Sequence, residues 1–424
     1  MINKEKEYIK ILNEELIPVM GCTEPISVAY AAAKAREVLG KEPEKVFVQC
    51  SGNIIKNVKS VTIPNSGNLI GIEAATILGI TGGNASRQLG VINEVDEEAI
   101  KRTHELIKRE SYCKVELLKS DILLHIFITV FNGSDKASVE IKHSHNNISK
   151  IIKNNDILFE NVEEEGKYLG VLSDRSILNV TDIKEFADNI EIDKIKPLLE
   201  KQISYNMAIA NEGLTGKYGL GIGKILLEKY PDNIITRIKA YAASGSEARM
   251  CGCTLPVVTN SGSGNQGMAC SIPVIVYGRE KGFSDEKIYR ALAFSDLITI
   301  HQKTFIGRLS AFCGAISASC ASGAAITYLE GGSLTQIKNT IINTLANISG
   351  VVCDGAKASC ASKISSGLDA AIMAHHLAMN DRVYENGCGL VKEDVENTII
   401  TIGRLGKVGM KETDIEILNM MLGN

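Results

Sequence analysis

The chain has 424 residues, a length typical of two or three domains with a large buried core, and this excludes disorder as its main state. Its 46 basic and 50 acidic residues give a net charge of −4, which argues against a nucleic-acid partner. Tryptophan is absent, aromatic residues make up only 5% and glycine occurs 38 times, so we expect small residues to set the packing between closely spaced helices.

Residues 5–40 are predicted to be helical, with one interruption at Gly21-Cys22-Thr23-Glu24-Pro25. Pro25 suits the first turn of a helix and Thr23 or Cys22 suits its cap, so a second helix is expected over residues 26–38. The N-terminal segment is charged and amphipathic and lacks the apolar core of a signal peptide. We therefore expect a cytoplasmic protein whose eleven cysteines are reduced.

Short β-rich runs begin near residue 46, and a hairpin signal follows at Asn132-Gly133-Ser134. From about residue 195 to the end the hydrophobic periodicity is almost entirely helical. We predict an α+β fold in which residues 1–42 and 195–424 form a mainly helical domain. A smaller α/β domain with its connection, residues 43–194, is inserted into it.

Two long uncharged runs, residues 250–278 and 309–329, are candidates for membrane spans. The first contains Pro256, Pro273 and a glycine-rich string, and the second is diluted by four serines and a threonine. Neither run is expected to cross a membrane, and no membrane partner is predicted.

A short internal sequence repeat, the cysteine echo, lies in the predicted helical part of the chain. Cys313 and Cys320 are seven residues apart, Cys353 and Cys360 repeat that spacing, and Ala-Ser follows the second cysteine of each pair. On a continuous helix this spacing would place each pair near one face. Soft thiolates select iron–sulfur clusters, zinc or copper(I), whereas small-residue packing is the alternative for any single cysteine.

Four ordered motifs carry a resemblance over nearly the whole chain: GCTEPISVAYAAAKA, VVTNSGSGNQGM, HQKTFIGRLSAFCGAISASC and VVCDGAKASCASK. Together they resemble the L-cysteine desulfidase family, itself similar to the α-subunit of iron–sulfur L-serine dehydratases. The resemblance implies a [4Fe-4S] cluster held by three cysteines and the conversion of L-cysteine to pyruvate, ammonia and hydrogen sulfide. It implies Cys313, Cys353 and Cys360 as ligands and Cys22 as the catalytic base, so the helical domain would be the catalytic one.

The third ligand has alternatives. The serine dehydratases carry a CDP motif with a longer gap before their last cysteine, whereas here six residues separate Cys353 from Cys360. Cys22 or Cys320 can therefore take the place of Cys360 in the ligand set.

Elimination of sulfide needs a base for the α-proton, a Lewis acid for the leaving sulfur and an anchor for the carboxylate. Cluster iron would be the Lewis acid. Cys22 lies beside a predicted helix N-terminus, whose dipole is expected to lower the pKa of the thiol. The glycine-rich string at 260–267 can present backbone N–H groups to a carboxylate, which places Ser263, Asn265 and Gln266 near substrate.

Several other polar residues are weighed against simpler interpretations. His301 or Arg308 could hold a carboxylate, although a helix with solvent-facing polar residues explains them as well. His143 and His145 alternate on a predicted strand, where an exposed polar face is favoured over a metal site.

The leading interpretation is thus a cluster-dependent cysteine β-lyase that acts on a small amino-acid substrate, with a homo-oligomer as a possible assembly. An L-serine ammonia-lyase with the same cluster is the nearest alternative. A pyridoxal-phosphate lyase would use residues 81–86 or 260–267 as a phosphate cradle, but no local lysine context supports it. A non-catalytic iron–sulfur or zinc sensor is the alternative outside enzymes.

Overall fold

The structure is a computed structural model that describes residues 4–161 and 173–423. Within these ranges sixteen α-helices form: α1 Lys4–Glu15, α2 Thr23–Leu39, α3 Gly52–Val58, α4 Gly71–Gly82, α5 Glu97–Leu106, α6 Val180–Asn189, α7 Lys196–Leu214, α8 Ile222–Lys229, α9 Ile234–Met250, α10 Gly264–Glu280, α11 Asp285–Ile306, α12 Gly314–Leu329, α13 Leu334–Ile348, α14 Cys360–Met379, α15 Val395–Arg404 and α16 Lys411–Leu422.

The same ranges contain eight strands: β1 Pro18–Met20, β2 Lys45–Cys50, β3 Cys113–Leu117, β4 His125–Asn132, β5 Asp135–Lys142, β6 Ile148–Lys153, β7 Asp156–Glu160 and β8 Pro256–Val258. The predicted α+β class with mainly helical content is confirmed.

Six strands form one sheet in the order β3-β2-β4-β5-β6-β7, in which only the β2–β3 pair is parallel. Side chains alternate in burial along β2, where Val46, Val48 and Cys50 face the core, because successive residues of a strand point to opposite sides. The helices α2 and α4 pack together over this core, and α2 also contacts β4 and β5. This sheet-and-helix unit supplies one wall of the cavity described below.

Small residues allow the close approach between helices that the composition predicts. A Cβ atom built on Gly79 of α4 would lie 2.3 Å from the carbonyl oxygen of Ala29 on α2. A Cβ on Gly213 of α7 would lie 2.2 Å from the carbonyl oxygen of Ser244 on α9. Any larger side chain would push these helix pairs apart.

The remaining helices form a helical body around α12, of which every residue from Ala315 to Leu329 is buried. The helices α10, α11, α13 and α14 surround α12 and share its core. Pro273 lies inside α10 in this core. An apolar helix is expected where other helices cover it on all sides, so the uncharged run at 309–329 reflects this burial.

The two hydrophobic cores cross the domain boundaries predicted from the sequence, which stay predictions. α2 packs with the sheet, although residues 1–42 were assigned to the helical domain. α6 packs in the helical body, where the Phe186 ring lies 5.3 Å from that of Tyr8 in α1, although residues 43–194 were assigned to the inserted domain.

A two-stranded ladder joins the N-terminal segment to the helical body. The sequence predicted helix on both sides of the interruption, but residues 18–20 form β1, which pairs antiparallel with β8. Val19 lies opposite Val257 in this ladder. The pairing brings Cys22, just after β1, toward the glycine-rich loop just after β8.

No helix in residues 4–161 and 173–423 combines the length and the apolar character that a membrane crossing requires.

A buried histidine makes the stability of the helical body depend on pH. Burial lowers the pKa of His375 in α14 to about 4, and its Nδ1 lies 2.9 Å from Thr327 Oγ1. Between pH 6.5 and pH 4 the unfolded chain binds a proton at this site and the folded chain does not, so the free energy of unfolding falls as the pH falls. We expect His375→Gln to remove about 2 kcal/mol of the loss between pH 7 and pH 4.5.

Urea unfolding of the metal-free protein at both pH values measures this difference. His376→Gln is the matched control, because His376 is the next residue of α14 and is exposed. An equal pH dependence in wild type and His375→Gln would contradict the assignment.

Candidate active site

A cavity of about 460 Å³ lies where the sheet-and-helix unit meets the helical body. Its wall comes from the start of α2, from α3, from the turn after β5 and from the segments around the starts of α10, α12 and α14. All seven side chains that the sequence analysis singled out for catalysis, substrate binding and metal binding line it: Cys22, Ser263, Asn265, Gln266, Cys313, Cys353 and Cys360. Their predicted roles stay predictions, but segments distant in sequence do meet here.

Four helices begin at the wall of this cavity. α2 follows Cys22, α10 follows Ser263, α12 follows Cys313, and α14 starts with Cys360. The N–H groups of a first helical turn have no acceptor in their own helix, and each helix dipole places about half a positive charge at this end. These four helix ends therefore add a positive potential to the cavity, although burial outweighs it for the Cys22 and Cys313 thiols.

A short backbone bridge holds two of the predicted ligands side by side. The N–H of Cys313 donates to the C=O of Val351 at 3.0 Å. The N–H of Cys353 donates to the C=O of Ala311 at 2.6 Å. This antiparallel pairing fixes the distance between the two cysteine backbones independently of any metal.

Asp354 fixes the connection between Cys353 and Cys360. Burial opposes its charge, but hydrogen bonds from Lys357 and Lys363 lower the pKa of Asp354 to about 2. Lys357 Nζ also donates to the backbone C=O of Asp354 at 2.9 Å. The six-residue gap that departs from the serine dehydratase pattern is thus a fixed turn, from which both thiols reach the cavity.

The three thiols suit a metal cluster in their chemistry. Burial, reinforced by the neighbouring Cys353 and Cys360, raises the pKa of Cys313 to about 12, so the three groups are close enough to interact electrostatically. Among the described residues, no three cysteine, histidine or acidic side chains are close enough to share a single ion. One zinc ion would need all its sulfur ligands at about 2.3 Å, whereas a cluster of several metal atoms spans a wider set of thiolates.

Cys320 lies outside the site. It is fully buried in the helical body, and its Sγ lies 3.8 Å from the C=O of Ile341. The continuous helix that would place each cysteine pair on one face is not present, because α12 begins after Cys313 and α14 begins only at Cys360. Of the two alternatives for the third ligand, only Cys22 lines the cavity, where it shares a small apolar cluster with Cys360.

Cys22 caps α2 as expected, but the predicted direction of its pKa shift is wrong. Its Sγ donates to Glu24 Oε2 at 3.0 Å. Burial, followed by the negative charge of Glu24, raises the pKa of the thiol well above its usual range, and Arg249 offsets only part of this. Desolvation and the adjacent carboxylate outweigh the helix dipole on which the prediction depended.

The predicted substrate-binding residues occupy the first turn of a helix rather than a free glycine loop. The first hydrogen bond of α10 runs from the N–H of Gly267 to the C=O of Ser263 at 3.0 Å. The N–H groups of Gly264, Asn265 and Gln266 therefore have no acceptor within the helix. This end of α10 is a ready site for a carboxylate.

Two further contacts shape that end of α10. Arg249 is buried, and it donates from Nε to the C=O of Gly21 at 2.9 Å and from Nη1 to Asn265 Oδ1 at 3.2 Å. Gln266 packs on the first residue of α12, where a Cβ on Gly314 would lie 2.6 Å from its side chain. The Oε1 atom of Gln266 is buried without a hydrogen-bond partner, so it is free to bind a ligand.

The structure shows which of the candidate carboxylate-binding cations line the cavity. His301 lies outside the cavity wall and contacts Glu396 Oε2 at 2.6 Å. Arg308 lines the cavity and pairs with Glu15 at 2.9 Å. Lys303 also lines it, and burial lowers the pKa of this lysine to about 8, although Cys353 and Cys313 act in the opposite direction.

Glu24, Asn53 and Arg249 are residues of the wall that were not predicted from the sequence, and His143 and His145 were set aside as an exposed strand face. Glu24 is a buried carboxylate, and His143 and His145 follow β5 instead of lying on an exposed strand face. The strand placement of both histidines is therefore wrong, although His143 is exposed as expected. The one available signal was the position of this glutamate inside the GCTEP motif, near the predicted catalytic cysteine and the predicted start of a helix.

Residues 81–86, weighed as a phosphate cradle, do not line the cavity. Thr81 belongs to α4 and its Oγ1 lies 2.8 Å from that of Thr103.

The effect of the Glu24 charge on the pKa of the Cys22 thiol can be tested directly. We expect Glu24→Gln to move the pH at which the Cys22 thiolate forms downward, because a neighbouring negative charge is removed. The pH profile of iodoacetamide modification, resolved by peptide mass spectrometry on metal-free protein, measures it. The exposed Cys388 is an internal reference whose profile should be the same in both proteins. Coincident Cys22 profiles would show that burial alone sets the shift.

Comparison with known protein families locates this chain among its relatives. A family model described as the serine dehydratase alpha chain matches residues 86–419. This span contains the three predicted ligand cysteines and the start of α10. The match supports the serine dehydratase side of the predicted resemblance, while the L-cysteine desulfidase assignment stays a prediction.

Curated relatives match over nearly their full length. The UPF0597 protein of Treponema denticola is 47% identical over 99% of this chain and 98% of the relative. The UPF0597 protein of Desulfitobacterium hafniense is 51% identical over 98% of this chain and 96% of the relative. A UPF0597 protein of Bacteroides fragilis is 37% identical over 99% of this chain and 98% of the relative.

Proposed function

Since this chain belongs to the serine dehydratase alpha chain family, we propose that it is an iron–sulfur-dependent lyase that eliminates hydrogen sulfide from L-cysteine. The products would be pyruvate, ammonia and hydrogen sulfide. The observation that carries the proposal is the meeting of Cys313, Cys353, Cys360 and Cys22 in one cavity beside the N-terminus of α10.

Three cysteines would hold a [4Fe-4S] cluster. Cys313 and Cys353 are fixed by the backbone bridge, and Cys360 is fixed by the Asp354 turn. Three protein ligands on a four-iron cluster leave one iron open, and when bound the cluster would supply a Lewis acid for the departing sulfur. The positive ends of α12 and α14 favour the thiolate form that binding requires.

The chain's own residues would orient the substrate and move its proton. The α-carboxylate would accept hydrogen bonds from the free N–H groups at the start of α10, from the Ser263 hydroxyl and from the side-chain NH2 of Gln266. The Cys22 thiolate would take the α-proton, the electrons of that C–H bond would form the Cα–Cβ double bond, and the Cβ–S bond would break. Water would then hydrolyse the enamine product to pyruvate and ammonia.

The alternative is an L-serine ammonia-lyase with the same site, which the description of the matching family favours. The two activities differ only in the leaving group, sulfide or water. A metal sensor would share the cysteines but would need neither a base nor a carboxylate site.

Turnover on the two amino acids distinguishes these functions. Protein purified anaerobically and reconstituted with iron and sulfide should release sulfide and pyruvate in equal amounts from L-cysteine. Pyruvate from L-serine alone would establish the serine ammonia-lyase, and bound iron without either product would indicate a sensor.

The ligand set has its own test. We expect Cys313→Ala, Cys353→Ala and Cys360→Ala each to lose the cluster iron after reconstitution, because a remaining pair of thiolates cannot hold the cluster. Cys320→Ala is the matched control, since it belongs to the cysteine echo but is buried away from the cavity, and it should retain iron. Iron analysis and the visible absorption spectrum measure both.

Cys22→Ala should retain iron and lose turnover by about 100-fold or more, as expected for loss of a general base. If Cys22→Ala loses iron as fully as Cys313→Ala, Cys22 is a ligand and the base assignment fails.

A further inference from the structure

Glu24 is a buried carboxylate without a cationic partner. Its hydrogen-bond donors are neutral: Cys22 Sγ at 3.0 Å and Thr23 Oγ1 at 3.2 Å to Oε2, and Asn57 Nδ2 at 3.2 Å to Oε1. Among the described residues no lysine or arginine lies within ion-pair distance of it, and the nearby Arg249 donates to Gly21 and Asn265 instead. A buried charge of this kind is costly unless a counter-ion binds it.

Glu24 is nevertheless held in its charged form. Burial works against ionisation, but the positive charge that His145 takes up at acid pH, the hydrogen bond from the Cys22 thiol and Arg249 lower the pKa of Glu24 below its usual value. Burial also lowers the pKa of His145, so near neutral pH Glu24 is charged and His145 is a neutral acceptor. The site therefore presents a negative charge to whatever enters the cavity.

Two unpartnered acceptors line the same cavity as this carboxylate. Asn53 lies one turn before Asn57 on α3, so it shares the helix face that contacts Glu24, and its Oδ1 is buried without a hydrogen-bond partner. The Nε2 atom of His145 is also buried without a partner. The backbone C=O of His145 accepts from Ser27 Oγ on α2 at 2.6 Å, which fixes this turn beside Glu24. Both side chains line the cavity.

We propose that Glu24, Asn53 and His145 form the subsite for the α-ammonium group of the substrate. An ammonium group has a positive charge and up to three N–H donors, which match one carboxylate and two neutral acceptors. The inference rests on the proposed function and deepens it, because it makes a zwitterionic α-amino acid the substrate class.

The ammonium subsite at Glu24 and the carboxylate site at the start of α10 are positioned to bind such a zwitterion. Thr23 Oγ1 lies 3.2 Å from Glu24 Oε2 and 3.4 Å from the C=O of Gly262, so the carboxylate borders the loop that leads into α10. An α-amino acid has its ammonium and carboxylate on the same carbon. Cys22, which contacts Glu24, then lies beside the carbon that loses its proton.

L-alanine and propionate separate recognition from turnover. They differ only in the ammonium group, and neither has a leaving group to eliminate. Titration calorimetry on the anaerobic, cluster-loaded protein should show a preference for L-alanine. Glu24→Gln should reduce that preference about tenfold, as expected for loss of one charge-assisted hydrogen bond, with propionate affinity nearly unchanged.

Ser263→Ala is the control at the carboxylate site, where the affinities for L-alanine and propionate should fall by the same factor. His145→Gln and Asn53→Ala should each reduce the preference by a smaller factor, and they replace Glu24→Gln if that variant does not fold. Equal binding of both ligands to wild type, or an unchanged preference in all three variants, would overturn the subsite.

The outcomes keep this inference separate from the proposed function. A protein that prefers L-alanine through Glu24 but releases no sulfide from L-cysteine retains the subsite and loses the proposed activity. A protein that releases sulfide without any preference retains the activity and loses the subsite.

Discussion

The cavity is constrained by four helices that begin at its wall. Each contributes N–H groups that no residue of its own helix can accept, and each adds a partial positive charge. Such ends repel one another unless negative charge lies among them. The nearby groups that can carry it are the thiols of Cys22, Cys313, Cys353 and Cys360 and the carboxylate of Glu24. Burial opposes ionisation of the Cys22 and Cys313 thiols, so the helix ends and the burial of the site act on these groups in opposite directions.

Neither hydrophobic core could build this site alone. The sheet-and-helix unit supplies α2 and α3, whereas the helical body supplies the starts of α10, α12 and α14. The β1–β8 ladder aligns the two, because it places Cys22 next to the loop that ends at Ser263. A cavity at such a junction is lined from both units while its polar groups stay on short, fixed segments.

The sequence predicts more of the chemistry than of the geometry. Local motifs identify the cysteines and the start of α10, because residue type and spacing carry that information without knowledge of contacts. Cys360 and Cys320 have the same position in the cysteine echo, yet only Cys360 reaches the cavity, since tertiary packing decides which residue is covered. The direction of the Cys22 pKa shift depends on burial and on Glu24, and no local pattern reports either.

The contact between Glu24 and Cys22 offers a way for a thiol with a raised pKa to act as the proposed base. Glu24 stabilises the protonated form of Cys22 as long as its own charge is unmatched. An ammonium group bound to Glu24 would cancel that field, and loss of a neighbouring negative charge lowers the pKa of a thiol. A ligand without the ammonium group would leave Cys22 protonated. Recognition of the amino group and activation of the base would thus be one electrostatic event, which makes the thiolate available when the α-carbon is in place.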